Sequence, residues 1–270
     1  MNELAIEIVG GAAVGLSLGL LGAGGAIFTV PIFGALLGHA PKAAILEALT
    51  VTGMISAVAG TQAGLQREVD LRRVLLLGVP GIVGATLSAP LGKMMPSALQ
   101  LALFAVVAGV AAWRMWSAAG SGNSHAVAVG TGAAATTPAT NAWWRIALIG
   151  LGIGVLTSLL GVGGGFLLIP ALVLLERLPM RRAVGTSLVV IALNSAAGLA
   201  GAQLSGALEA ADPMWRAVAI VGACGVAGSI GGRAVAERLP QRALRRAFAV
   251  LIAVVAVGTL AQAGLLLANR

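Results

Sequence analysis

Residues Gly15–Pro31 read GLSLGLLGAGGAIFTVP, and residues Gly154–Pro170 read GVLTSLLGVGGGFLLIP. Laid over each other without a gap, 139 positions apart, Gly15, Leu20, Leu21, Gly22, Gly24, Gly25 and Pro31 coincide with Gly154, Leu159, Leu160, Gly161, Gly163, Gly164 and Pro170. Glycine at this density removes side chains and lets the backbone leave helical geometry. In water such a cluster would form a turn, but both copies sit inside apolar runs. Two glycine breaks in matching apolar surroundings point to a duplicated membrane protein with a broken helix in each half.

The match extends outward from these stretches. The same offset pairs Lys42 with Arg181, Leu49 with Leu188 and Ser56 with Ser195. Further on, an offset of 144 pairs Gly81, Gly84 and Pro96 with Gly225, Gly228 and Pro240, and the five added residues fit the loop around Glu209 and Asp212. The duplication covers nearly the whole chain. It predicts an N-terminal repeat over 1–116, a linker over 117–142 and a C-terminal repeat over 143–270.

Composition sets the medium. The 270 residues are 59% hydrophobic and 10% charged, with a mean hydropathy of +0.99, whereas globular domains carry about 25% charged residues. Apolar runs near membrane-spanning length recur throughout. The net charge of +8 could suggest nucleic acid, but the basic residues are scattered among short loops, as membrane topology requires. A single cysteine, Cys224, excludes an internal disulfide and any multi-cysteine metal site and reads as a buried, inert thiol. The opening MNELAIEIVGG has two acids and no basic n-region, so no cleavable signal peptide is expected.

Ten apolar segments follow, five per half, and with the short ones merged the count of spans falls to eight. The first, Leu4–Leu21, carries Gly11, Gly15 and Gly19 at a four-residue spacing, and its counterpart Trp143–Leu160 carries Gly150, Gly154 and Ser158. That spacing makes a flat face for close helix packing. The second segments, Ala26–Leu37 and Gly165–Leu175, are too short to cross a ~30 Å core. The third, Ala43–Gly64 and Ala183–Leu204, carry hydroxyls and amides. The fourth are Val74–Leu91 and Trp215–Val235, and the fifth Leu99–Trp116 and Ala247–Leu267. Between the halves, Ser117–Ala142 is rich in Gly, Ala, Ser and Thr and has no charged residue, the composition of a flexible linker. His125 within it, and His39 beside Pro41, read as solvated loop residues.

Five segments per half would invert the second copy relative to the first. That arrangement puts thirteen basic residues on one side and only Lys42, Lys93, Arg216 and Arg270 on the other. The positive-inside bias then places the linker in the cytoplasm and both termini outside. The basic run Arg238–Arg246 reads as a cytoplasmic loop anchored to anionic lipid.

A glycine cluster followed by a short helix can present unpaired backbone N–H groups and a positive dipole end to an anion. The candidate substrate-binding residues are therefore Gly22, Gly24 and Gly25 with Gly161, Gly163, Gly164 and Gly165, joined by Thr50, Thr52, Thr186, Ser187 and Asn194 of the third segments. Each has a plainer reading. Gly11, Gly15 and Gly19 are better explained by packing, and a lone Ser or Thr in a span usually bonds its own backbone. Glu47 and Lys42, at a segment end, read as an interfacial pair or as part of a coupling-ion path. Enzyme readings find no support, because the glycine clusters lack the last glycine of the dinucleotide fingerprint. Two histidines and nine acids assemble no catalytic set. No catalytic residue, metal or cofactor is expected.

The pattern GLLGAGGAIFTVP, SLLGVGGGFLLIPAL, RRAVGTSLVVIALNSAAGLAG and GSIGGRAVAERLPQRALRRAFAV resembles the sulfite exporter TauE/SafE family, also described as sulfonate permeases. The second half fits better, since Ala26 and Leu46-Glu47 stand in the first half where the second has Gly165 and Gly185-Thr186. The resemblance implies a multi-pass inner-membrane carrier of small anions, often sulfur-containing. The expectation is an all-α secondary carrier that meets a small anion and the lipid bilayer and no nucleic acid. A proton or a sodium ion as coupling ion, and a homo-oligomer, remain open. The alternatives are a channel or a membrane scaffold subunit.

Overall fold

A computed structural model describes residues 3–22, 25–94, 97–120, 143–160, 165–176, 178–204, 206, 209 and 212–268. These form helices α1 (Glu3–Leu21), α2 (Gly25–Pro31), α3 (Pro41–Leu65), α4 (Leu71–Met94), α5 (Ser97–Gly120), α6 (Trp143–Leu160), α7 (Gly165–Pro170), α8 (Met180–Leu204), α9 (Trp215–Arg238) and α10 (Gln241–Ala268), with no strand among the described residues. Five of them, α1, α3, α4, α8 and α9, contain stretches long and apolar enough to cross a membrane. At 1.5 Å per residue, the 25 residues of α3 run for about 37 Å. The chain is an all-helical, multi-pass membrane protein.

Two readings of the boundaries change. Helix α5 continues to Gly120, four residues into the stretch read as linker, because Ser117-Ala118-Ala119 are adequate helix formers and the Ser117 hydroxyl donates to the Arg114 carbonyl at 3.0 Å. Arg242, Arg245 and Arg246 are not in a loop. They occupy the first turns of α10, which starts directly after Pro240, and the Arg246 guanidinium lies 5.9 Å from the centroid of the Trp116 ring.

The second segments have an unusual form. After Pro31, α2 widens into a π turn over Ile32–Leu36, and after Pro170, α7 does the same over Ala171–Leu175. Proline has no N–H and its ring crowds the carbonyl one turn back, so the ladder beyond it reorganises. The amide of Leu37 reaches the Ile32 carbonyl at 3.0 Å and that of His39 the Phe33 carbonyl at 3.0 Å; the amides of Glu176 and Leu178 repeat both bonds to Ala171 and Leu172.

Glycine fixes how the helices pair. Along α1, Gly11, Gly15 and Gly19 face Val221, Gly225 and Ser229 of α9 so closely that a Cβ at Gly11 would lie 2.6 Å from the Val221 carbonyl oxygen, and those at Gly15 and Gly19 would overlap the opposing carbonyls. Along α6, Gly150 and Gly154 face Leu77 and Gly81 of α4 in the same way. Adding 139 to the first member and subtracting 144 from the second turns one set of contacts into the other. Helices α1, α9 and α3 run parallel, as the ascending pairs Gly11–Val221 and Gly19–Ser229, and Glu47–Met214 and Glu68–Arg233, require. The sequence-equivalent helices α3 and α8 run antiparallel, since Leu49 meets Gly198, Gly53 meets Ser195 and Gly60 meets Val189.

Gly154→Val should therefore fail by overlap with the Gly81 carbonyl, at a cost of about 1–3 kcal/mol or more, whereas Gly152→Ala, which faces open space, should be neutral. Melting temperatures of the two variants in detergent check this, and equal melting would contradict the packing described.

Candidate functional site

The antiparallel crossing of α3 and α8 bounds a cavity of about 800 Å³. Its wall draws on α2, α4, α5, α6, α7 and α10 as well. Nearly all of the wall is apolar, and among the described residues no ionised side chain reaches it. The polar side chains on it are Thr52, Thr86, Asn194 and Ser195.

Helix periodicity gathers three of these groups. Thr52 is buried on the cavity face of α3, with its hydroxyl donating to that of Thr29 at 3.5 Å. Ser56, one turn on, is fully buried, and its hydroxyl has no protein partner. Across the crossing, a Cβ on Gly53 would lie 2.9 Å from the Cβ of Ser195, so the glycine lets the two backbones close over this point. Beside it the Asn194 Oδ1 is buried and unpartnered. Thr86 contributes less, because its hydroxyl is turned back on the Ile82 and Val83 carbonyls of its own helix. The result is a seam of uncharged polar groups in an apolar chamber. An unmet buried polar group costs about 1–3 kcal/mol, so a guest with a donor for the Asn194 Oδ1 would be held there, while toward an anion the same side chain has only its amide N–H to offer.

Of the candidate residues, Thr52, Gly165 and Asn194 line the cavity. Gly24, Gly161, Gly163 and Gly164 lie outside the described residues, and Gly25 opens α2. Gly22 has φ +79° and is pressed against Val184 and Ile169, so it terminates α1 by packing. Thr50 and Ser187 bond the Leu46 and Val184 carbonyls of their own helices at 2.7 and 2.8 Å. Thr186 accepts the Asp70 amide at 3.2 Å, where α4 begins. Thr50 and Ser187 are thus tied to their own helices and Thr186 ties α8 to the start of α4, and none of the three lines the cavity.

The chain matches the family model described as Sulfite exporter TauE/SafE over residues 7–259. It belongs to the TauE/SafE sulfite exporter family. Two relatives, each named a probable membrane transporter protein and found in Xylella fastidiosa strains Temecula1 and 9a5c, are 25% identical over 198 residues, covering 71% of this chain and 70% of theirs. No solved structure matches.

In this TauE/SafE protein two features outside the cavity went unread in the sequence. Glu47 is fully buried and pairs with His39, 2.6 Å away, rather than with Lys42, which is exposed. His39 is thus no solvated loop residue. The only hint was that Glu47 stands where the other half has Thr186. At the opposite end of the helices, Arg233 is almost wholly buried and bonds Glu68 at 2.6 Å as well as Gln66, while Arg73 bridges Asp70 at 2.5 Å and Glu176 at 3.4 Å. Arg233 had counted as a loop charge.

Asn194→Leu should weaken binding of a ligand seated in the cavity by about tenfold or more while leaving the melting temperature near wild type. Ser187→Ala should leave both binding and melting temperature near wild type. Ligand-dependent thermal shifts in detergent compare the two, and equal binding by Asn194→Leu would remove the seam from the site.

Proposed function

We propose that this chain is a secondary carrier of a small anion, of the sulfite or sulfonate class, in the inner cell membrane. One observation carries the reading: an uncharged polar seam lies where two sequence-equivalent helices cross antiparallel. Antiparallel equivalents fit two repeats inverted in the membrane, and such repeats can rock about a site between them to open it to either side. A wall without ionised side chains among the described residues suits an anion that must also leave, because dipoles and hydroxyls hold it less firmly than a guanidinium would. Gly165 brings the start of α7 to the same cavity, which supports a share for the glycine-break amides.

The termini are taken to lie outside and 117–142 inside, on the positive-inside bias. The parallel run of α1, α3 and α9 requires α2 to return the chain, which agrees with five passes per half.

Purified protein in vesicles, offered labelled sulfite, methanesulfonate and taurine in turn, tests the reading. A carrier should exchange internal for external label without net flux. Flux of several unrelated anions without such exchange would indicate a channel, and no flux of any of them would favour a scaffold. In the same assay Gly163→Val and Gly164→Val should lose transport out of proportion to melting temperature. Normal transport by both would confine the site to Thr52, Asn194 and Ser195. A cytoplasm-only fluorescent reporter after Arg270 should stay dark, and a bright one would reverse the topology.

A further inference from the structure

The two halves close their helix starts with the same bond but different chemistry. In one, the Thr186 hydroxyl accepts the Asp70 amide at the start of α4. In the other, Glu47 Oε1 accepts the Met214 amide at the start of α9, at 2.7 Å. Asp70 and Met214 are themselves equivalent at the 144 offset, as Thr186 and Glu47 are at 139. A neutral hydroxyl therefore suffices for the structural task. The Glu47 half adds a second titratable group: His39, which stands where the other half has Leu178, donates from Nδ1 to Glu47 Oε2 at 2.6 Å.

We infer that His39 and Glu47 form a proton-binding site that latches the start of α9 against α3. Both carboxylate oxygens already face donors, which leaves no lone-pair cage for a metal cation, and no grouping of three His, Cys, Asp or Glu exists among the described residues. The free position is the imidazole Nε2. With it unprotonated the latch brings one net negative charge into burial; with a proton bound the latch is neutral. Burying an uncompensated charge is expensive, so the proton-bound latch is the one that closes. The His39 side chain is 10% exposed and Glu47 0%, which makes the imidazole the door to solvent. The Phe33 ring, 5.7 Å from it, is within range to attract an imidazolium.

Other charges do not substitute. On α3, Lys42 is exposed; near the start of α9, Asp212 and Arg216 are exposed; α2 and its π turn carry none. Arg181 and Arg182 of α8 sit at the far end of that antiparallel helix. On α1, Glu7 is buried one turn before the Gly11–Val221 contact, at the same end, with its Oε2 unpartnered. The next residues along α3, Ala48 and Leu49, line the cavity, so opening the latch moves the cavity wall.

The variant His39→Leu/Glu47→Thr rewrites this latch as its counterpart and should fold. Glu47→Gln, which keeps an acceptor for Met214, is the second variant. The first readout, proton uptake by the purified protein across about pH 5–8, needs no substrate. Wild type should bind one proton more than the double variant, and equal uptake by all three overturns the site. The second readout, methanesulfonate exchange in vesicles, rests on the carrier reading. Wild-type exchange should fall towards acid as the latch closes, while both variants stay flat, and a wild-type pH profile retained by both variants overturns the latch. If uptake differs but no anion is exchanged, the carrier reading fails and the proton site stands.

Discussion

Lipid tails are as apolar as leucine, so two helices in a bilayer gain little by hiding leucines from their surroundings. They hold together where their backbones can approach, and that depends on the absence of side chains. In this protein the approach is made twice, where Gly11, Gly15 and Gly19 of α1 meet α9 and where Gly150 and Gly154 of α6 meet α4. Each contact pairs the first helix of one half with the fourth of the other. Neither half can bury its own glycine face, so the halves interlock, and every later feature of the fold is hung on these two parallel pairs. Once α1 and α9 run together, α3 is fixed beside α9, and the equivalent α8 beside α4. The two central helices must then cross antiparallel.

That crossing explains why the cavity lies there. The outer pairs are packed to contact by small residues, which leaves the mismatch in width to the middle, where α2 and α7 are too short to fill the depth of the chain. Their prolines deepen the mismatch. Pro31 and Pro170 end regular hydrogen bonding and force a π turn, so the returning strand of chain bulges instead of continuing straight. A chamber walled by Ile, Val, Leu and Phe would stay dry; the seam of Thr52, Asn194 and Ser195 gives it somewhere for a polar guest to bind.

Much of this was legible in the sequence. The offset of 139 identified the equivalent helices, and the four-residue glycine spacing marked α1 and α6 as packing faces. What a period could not say was which partner each face meets, because glycine stripes on α1, α4, α6 and α9 are interchangeable as patterns and only the carbonyl opposite each distinguishes them. The site was read in part. Thr52 and Asn194 reach the cavity, but Thr186 and Ser187, chosen on the same grounds, turn to the Asp70 amide and the Val184 carbonyl. A hydroxyl's direction depends on helix rotation about its axis, and all four residues lie on helices apolar on nearly every side, so amphipathicity offers no guide. His39 was misread because its partner is eight residues away across a helix start, beyond any helical spacing.

The departures from symmetry are more instructive than the symmetry. The capping bond at the start of α4 has its counterpart at the start of α9, at positions that the two offsets make equivalent. Charge, by contrast, has been distributed unequally. Positions Ile146, Leu178 and Thr186 are apolar or neutral where Glu7, His39 and Glu47 are ionisable, while at the opposite end Arg233 and Arg73 hold pairs whose equivalents, Ala89 and Ala217, are uncharged. One end is thus tied by carboxylates to guanidinium groups that stay protonated, and the other by a carboxylate and an imidazole that need not. Two repeats with identical backbones would open equally to both sides of a membrane. In the carrier proposed above, unequal ties at the two ends would let the same backbone respond differently to the solutions on either side.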